Sequence, residues 1–174
     1  MAAYTTTITG TEPVTLAEAK LYLRIDDNAE DALIEALISS AREWAETNTN
    51  KAIVAQTVAA YYDKPERTFE LPIGNATALT SVTNDGDAVT ARLLVGSPST
   101  VEITGDLPYP TNERQSVVVT YTAGYATVPK RIKQAILILV ADMYENREAQ
   151  IVGTIVAQSE TIERLLFPVR ELGL

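Results

Sequence analysis

Residues 116–144 read SVVVTYTAGYATVPKRIKQAILILVADMY, and the hydrophobic period changes inside them. Ser116 to Thr122 is β-branched and aromatic, the composition of a strand. Pro129 stands where a first-turn proline belongs. From there Ile132, Ala135, Ile136, Leu139, Val140, Met143 and Tyr144 recur at spacings of three and four. That is a wide apolar stripe on a helix. Ala135 to Ala141 is apolar nearly all round, so this is the most buried helix expected, ending near Glu148. Strand and helix therefore share one fold.

Upstream of this junction the chain reads as β. Ile53 to Tyr62 and Thr68 to Leu71 have strand composition, the latter bounded by Pro65 and Pro72. Leu79 to Thr83 and Ala88 to Val95 flank Asn84-Asp85-Gly86-Asp87, a strong tight-turn signal. Ser99 to Thr104 is a further strand. Together these predict a small antiparallel region of about five or six strands.

The first third reads as two helices. Thr15 and Glu18, three apart, form a capping box ahead of Leu16, Ala19 and Leu23. Asp27 and Glu30 predict a second box. The helix that follows carries Leu33, Ile34, Leu37, Ile38, Ala41, Trp44 and Ala45 on one stripe. Trp44 thus reads as core packing. At the other end, Ser159 to Phe167 reads as a short helix, with Ser159 as cap and Pro168 as stop; Ile151 to Ala157 is a flexible-looking connector.

The expected class is α+β, with a mainly helical core of two N-terminal helices and a long C-terminal helix. A small antiparallel β-region is inserted into it. One domain is expected over 1–174: a helical part at 13–50, a β-rich insertion at 51–128, a core helix at 129–150, and the connector, short helix and tail at 151–174.

Composition removes most enzyme chemistries. The 174 residues include no Cys and no His. Thiol nucleophiles, disulfides, zinc-thiolate sites, His-ligated metals and Ser-His-Asp triads are excluded. No GxxxxGK[ST] or GxGxxG motif is present. No cofactor is expected. The first residues lack the basic and apolar regions of a signal peptide, and no apolar run approaches the length of a membrane span, so no membrane is expected as partner. The lack of Cys fits an intracellular protein.

Charge is distributed unevenly. The net charge of −9 resides mostly in residues 1–50, which hold 3 basic and 9 acidic residues. An acidic chain of this kind does not suit broad nucleic-acid gripping. Asp26, Asp27, Glu30 and Asp31 are a candidate divalent-cation or acid–base cluster, although capping explains the same acids better. Asn84 to Asp87 lacks the Gly position and distal Glu of a calcium loop, which favours a plain hairpin turn. Lys130, Arg131 and Lys133 cluster at a helix start, the wrong end for cations. An acidic partner surface or a nucleic-acid backbone would compensate; the alternative is a plain solvated face.

Several segments, in order, resemble the head–tail connector (adaptor) proteins of tailed phages. Pro13-Val14-Thr15-Leu16-Ala17-Glu18-Ala19-Lys20-Leu21-Tyr22-Leu23-Arg24 is similar to their opening motif. Asp31 to Trp44 resembles their second helix, and Ile53 to Val58 the strand after it. Val117 to Tyr125, with Val128-Pro129 and Ile132 to Ile136, is similar to their strand-to-helix junction. Ala141 to Glu148 resembles the end of that helix, and Leu165-Leu166-Phe167-Pro168-Val169-Arg170 their "LLxPyR" ending, with Val169 where Tyr is usual.

The resemblance implies a virion structural protein, not an enzyme, made in the host cytoplasm and placed at the head–tail junction. About twelve copies would form a ring matching the portal. The implied partners are other copies of the chain, the portal protein and a downstream connector or tail-completion protein. DNA only passes through the lumen, and a negative lumen would repel rather than hold it. Ring contacts are head-to-tail and need two different faces. The expected subunit interface sets Glu35, Glu43 and Glu46 against Lys130, Arg131 and Lys133 of a neighbour. The expected portal-docking element is Leu165, Leu166, Phe167 and Arg170, with packing onto the same subunit as the alternative. A carboxylate-based hydrolase using Asp26, Asp27 or Glu30, and a bacterial interaction module without a phage role, are the rival readings.

Overall fold

The computed structural model describes residues 3–106, 114–146 and 160–170. The expected connector, the expected helix cap Ser159 and the residues after Arg170 lie outside them. The described chain divides into two compact units: a β unit from 1–11 and 50–126, and a helical unit from 12–49 and 127–170.

The β unit has eight described strands: β1 Ala3–Ile8, β2 Gln56–Tyr62, β3 Thr68–Glu70, β4 Ala76–Asn84, β5 Asp87–Ala88, β6 Ala91–Leu94, β7 Thr100–Ile103 and β8 Val117–Ala123. They form a five-stranded sheet in the order β1-β2-β8-β4-β5 and a three-stranded sheet in the order β3-β7-β6. Every pairing between these strands is antiparallel. β8, the strand of the opening stretch, is central, paired with β2 on one side and β4 on the other, and its alternate residues Val117, Val119, Tyr121 and Ala123 are all buried. They share one core cluster with Val58 and Ala60 of β2, Ala76 and Val82 of β4, and Phe69, Val101 and Ile103 of the smaller sheet. Fully burying each Val, Ile or Phe stabilises by about 1.5–3 kcal/mol. Tyr121 is fully buried, and its hydroxyl is satisfied by Ile73, donating to the carbonyl at 3.0 Å and accepting from the N–H at 3.2 Å.

Two backbone positions shape this unit. Asp85 and Gly86 both have positive φ (55° and 93°) between paired Asn84 and Asp87, the two-residue hairpin turn expected there. Gly124 has φ 130°, and a Cβ there would lie 2.5 Å from the Val54 carbonyl oxygen. Only glycine fits that approach.

The helical unit contains α1 Leu16–Leu23, α2 Asp31–Thr49, α3 Lys130–Glu145 and α4 Glu160–Leu166, followed by a 3-10 turn at Phe167–Val169. α2 buries Ile34, Ile38, Ala41, Arg42 and Ala45; α3 buries Ile132, Ala135, Ile136, Leu139 and Val140. α4 adds Ile162 and Leu166. α2 packs on α3, α3 on α4, and α1 on both α2 and α3.

Three expectations need correction. The fold is a sheet-rich α+β, not a mainly helical core with a small inserted β-region. The β segment has two sheets and its own buried core, so it does not lean on helices for one. Residues 3–8, with no role assigned from sequence, add a strand that pairs with β2 over its whole length. The second capping box does not form. Asp27 Oδ1 accepts from the Ala29 N–H at 3.0 Å, a local Asx turn, and α2 starts later, at Asp31. Pro129 sits one residue earlier than a first-turn proline, as the N-cap residue of α3, and its carbonyl accepts from Ile132 and Lys133.

Candidate functional site

The acidic first third is largely engaged within the helical unit. Thr15 caps α1 as expected: its hydroxyl accepts from Glu18 N–H at 3.2 Å, and Glu18 Oε2 accepts from Thr15 N–H at 2.8 Å. That backbone hydrogen bond is the main reason the Glu18 carboxyl lies below its ordinary range. Glu18 Oε1 also lies 3.6 Å from Lys133 Nζ. α3 has no acidic residue in its own first turn and no side-chain cap. A carboxylate from α1 therefore offsets part of the charge at its basic start.

Arg42 is the most heavily engaged charge. Its guanidinium is buried, with Glu46 at 2.7 Å, Glu12 at 3.0 Å and Glu43 at 3.4 Å. Burial alone would favour loss of its proton. The carboxylates of Glu46 and Glu12 outweigh that and hold it above the usual arginine range. Glu12 also accepts from Ser39 Oγ at 3.0 Å, so one cluster pins the segment before α1 to the side of α2. Arg42 is buried where three acids converge on it, two of them on α2 itself.

The candidate acid cluster does not converge on a cation. Asp31 pairs with Lys20 Nζ at 2.7 Å, Glu30 accepts from the Tyr144 hydroxyl, and Asp27 holds the Ala29 N–H. Asp85 and Asp87 are hairpin residues.

The six expected interface residues thus fall into two sets. Glu43, Glu46 and Lys133 have partners within the chain. Glu35 on α2, and Lys130 and Arg131 on the first turn of α3, are exposed. The docking element also divides. Leu166 is buried and Leu165 half-buried, while Phe167 is 63% exposed. Arg170 donates from Nε to the Asn48 carbonyl at 2.8 Å and from Nη2 to Asn48 Oδ1 at 2.9 Å. Packing onto its own unit accounts for Leu166 and Arg170, which leaves Phe167 as the outward group.

Two exposed apolar features escaped the sequence reading. Leu21 on α1 is 82% exposed, with Tyr22 beside it. Its position off the Leu16, Ala19 and Leu23 stripe is the signal that could have found it. β1 exposes Tyr4 and Ile8, each 47% accessible.

Among solved structures, the fold matches a chain from the neck of an empty gene transfer agent particle, computed with C6 symmetry. The TM-score is 0.76 at 23% identity, covering 98% of this chain and 97% of that one. A chain from the virion of the native particle matches with TM-score 0.76 at 22% identity, over 97% and 96%. A chain from the native neck computed with C12 symmetry matches with TM-score 0.71 at 22% identity, over 100% and 97%. At these identities the likeness establishes the fold. No curated protein matches the chain. The family model for head completion proteins matches residues 12–166, from the segment before α1 to the end of α4, with β1 outside the match. The chain belongs to the head completion protein family and is a structural head–tail connector protein of a virion.

Proposed function

We propose that the chain works by assembly and docking, without catalysis, as the subunit of a ring at the head–tail junction. About twelve copies close the ring by head-to-tail contacts. One side meets the portal protein, the other a downstream connector or tail-completion protein, and DNA only passes through the lumen. The family match over residues 12–166 carries this reading. The particle necks that share the fold were computed with C6 and C12 symmetry, which supports a ring.

The subunit contact is assigned to exposed groups: Glu35 of one copy against Lys130 and Arg131 of the next. Glu43, Glu46 and Lys133 border it, partly neutralised within the chain. Rim charges of this kind steer encounter and set the partner more than they add affinity. Phe167, held outward by the Leu166 and Arg170 anchors, is the side chain assigned to the portal.

The test is sedimentation of the chain with its portal at physiological salt. Lys130→Glu with Arg131→Glu abolishes the ring, and adding Glu35→Lys on the same chain restores it. A ring that forms unchanged with the reversed pair overturns the assignment.

A further inference from the structure

Among the described residues, the five-stranded sheet has one long open edge. Its far edge, β5, is two residues long, whereas β1 runs for six, Ala3 to Ile8, and every residue is exposed. Natural edge strands are normally blunted by charge, proline or a bulge. β1 reads AYTTTI, with none of the first two, and its register against β2 is unbroken. Across all five strands the sole charged residue is Asp87, in a chain of net charge −9. β1 itself is therefore uncharged in an acidic protein, so a second copy can approach it strand to strand without like charges directly opposed.

The hydrogen-bond phase of the edge can be read out. Thr9 N–H donates to Ala55 O at 2.9 Å, and Thr9 continues the β1–β2 register opposite Ala55. Hydrogen-bonded pairs alternate along an antiparallel ladder. Thr7 and Thr5 therefore point their backbone groups toward β2, while Tyr4, Thr6 and Ile8 point theirs out of the sheet. The side chains of these same three residues lie on the sheet face shared with their partners Ala60, Val58 and Gln56, the buried face of β2.

We propose that two copies of the chain pair through β1, antiparallel, about a two-fold axis at Thr6. In that register Thr6 faces Thr6 and Tyr4 faces Ile8, so all three outward residues of each strand exchange both N–H and C=O bonds. Two-fold registers centred elsewhere leave at least one of the three unmatched. The two exposed apolar side chains, Tyr4 and Ile8, become an aromatic–β-branched cross-strand pair, made twice. The two sheets join into one of ten strands, and the edges cover each other. A two-fold contact is isologous, unlike the head-to-tail contact of a closed ring. It belongs to the free protein and goes beyond the connector reading: it masks the edge until the ring or another partner takes it over.

Light scattering on the full chain, over a wide range of concentration, tests this. The expected mass is twice the 18.9 kDa of the chain, falling toward one copy on dilution. Thr6→Pro gives a monomer with an unchanged circular dichroism spectrum, because the Thr6 N–H is not used by β2 and proline is tolerated on the solvent side of an edge strand. Thr6→Lys, which opposes two like charges at the axis, gives a monomer as well. Hydrogen exchange at Tyr4, Thr6 and Ile8 is slowed in the wild type, and at Tyr4 and Ile8 it is fast in both variants. A wild type that stays monomeric at every concentration overturns the proposal. So does a dimer, or a larger ring, whose mass both variants leave unchanged, and a ring of that kind leaves the connector reading intact.

Discussion

Arg170 caps the C-terminus of α2 through Asn48. The Nε–H donates to the Asn48 carbonyl at 2.8 Å and Nη2 to its side-chain oxygen at 2.9 Å. α2 has no basic residue in its own last turn, so this guanidinium supplies the cation that the helix end favours. Arg170→Ala is expected to cost about 1 kcal/mol in denaturant unfolding. Lysine keeps the charge but loses the two-pronged geometry, so Arg170→Lys recovers only part of it.

The neighbouring residues Leu166 and Phe167 should separate stability from attachment. Leu166→Ala removes a buried side chain and is expected to destabilise by about 2–5 kcal/mol. Phe167→Ala changes an exposed one and should leave unfolding within about 0.5 kcal/mol of wild type. Portal attachment, measured by co-sedimentation, should be lost with Phe167→Ala alone. Attachment that survives the substitution removes Phe167 from the portal contact.

Arg42 is buried among three carboxylates, and removing it leaves their charge without its partner. Arg42→Met is expected to cost about 3–5 kcal/mol. Glu43→Gln, at the longest and most exposed of the three contacts, should cost less than about 0.5 kcal/mol. Urea unfolding of both variants checks the contrast.

Glu18 gives the helical unit an acid-sensitive cap. Its carboxyl is held below the usual glutamate range, chiefly by the Thr15 N–H, so the folded state favours the ionised form. The stability this contributes is fully present above the unfolded value of about 4.3 and is lost as pH falls through the lower folded value. Glu18→Gln should flatten the stability–pH profile in that acid window and leave its shape near neutrality unchanged.

Much of the fold was legible because local signals were strong. Thr15 and Glu18 gave a capping box that forms; Asp85-Gly86 gave a turn whose two positive φ values only such residues adopt readily. Val117 to Ala123 has the β-branched and aromatic composition of a strand and forms one, burying alternate residues. What stayed hidden depended on distant partners. Residues 3–8 become a strand by pairing with β2, more than forty residues on, and their Thr-rich composition carries no apolar alternation. Asp27 and Glu30 have the spacing of a capping box, yet Tyr144 holds Glu30 and a local turn takes Asp27. The charge at the α3 start was legible, but its partner Glu18, on another helix, was not. The exposure of Phe167 likewise required knowing that Leu166 is buried and that Arg170 is tied to Asn48.

The central claim is that this protein joins heads to tails. Electron microscopy of particles made without the chain, before and after the purified protein is added back, measures it most directly. The account predicts filled heads and free tails that remain apart, then joined particles with a ring below the portal once the protein is supplied. Heads that join tails in its absence, or that stay unjoined after the folded protein is added, would contradict it.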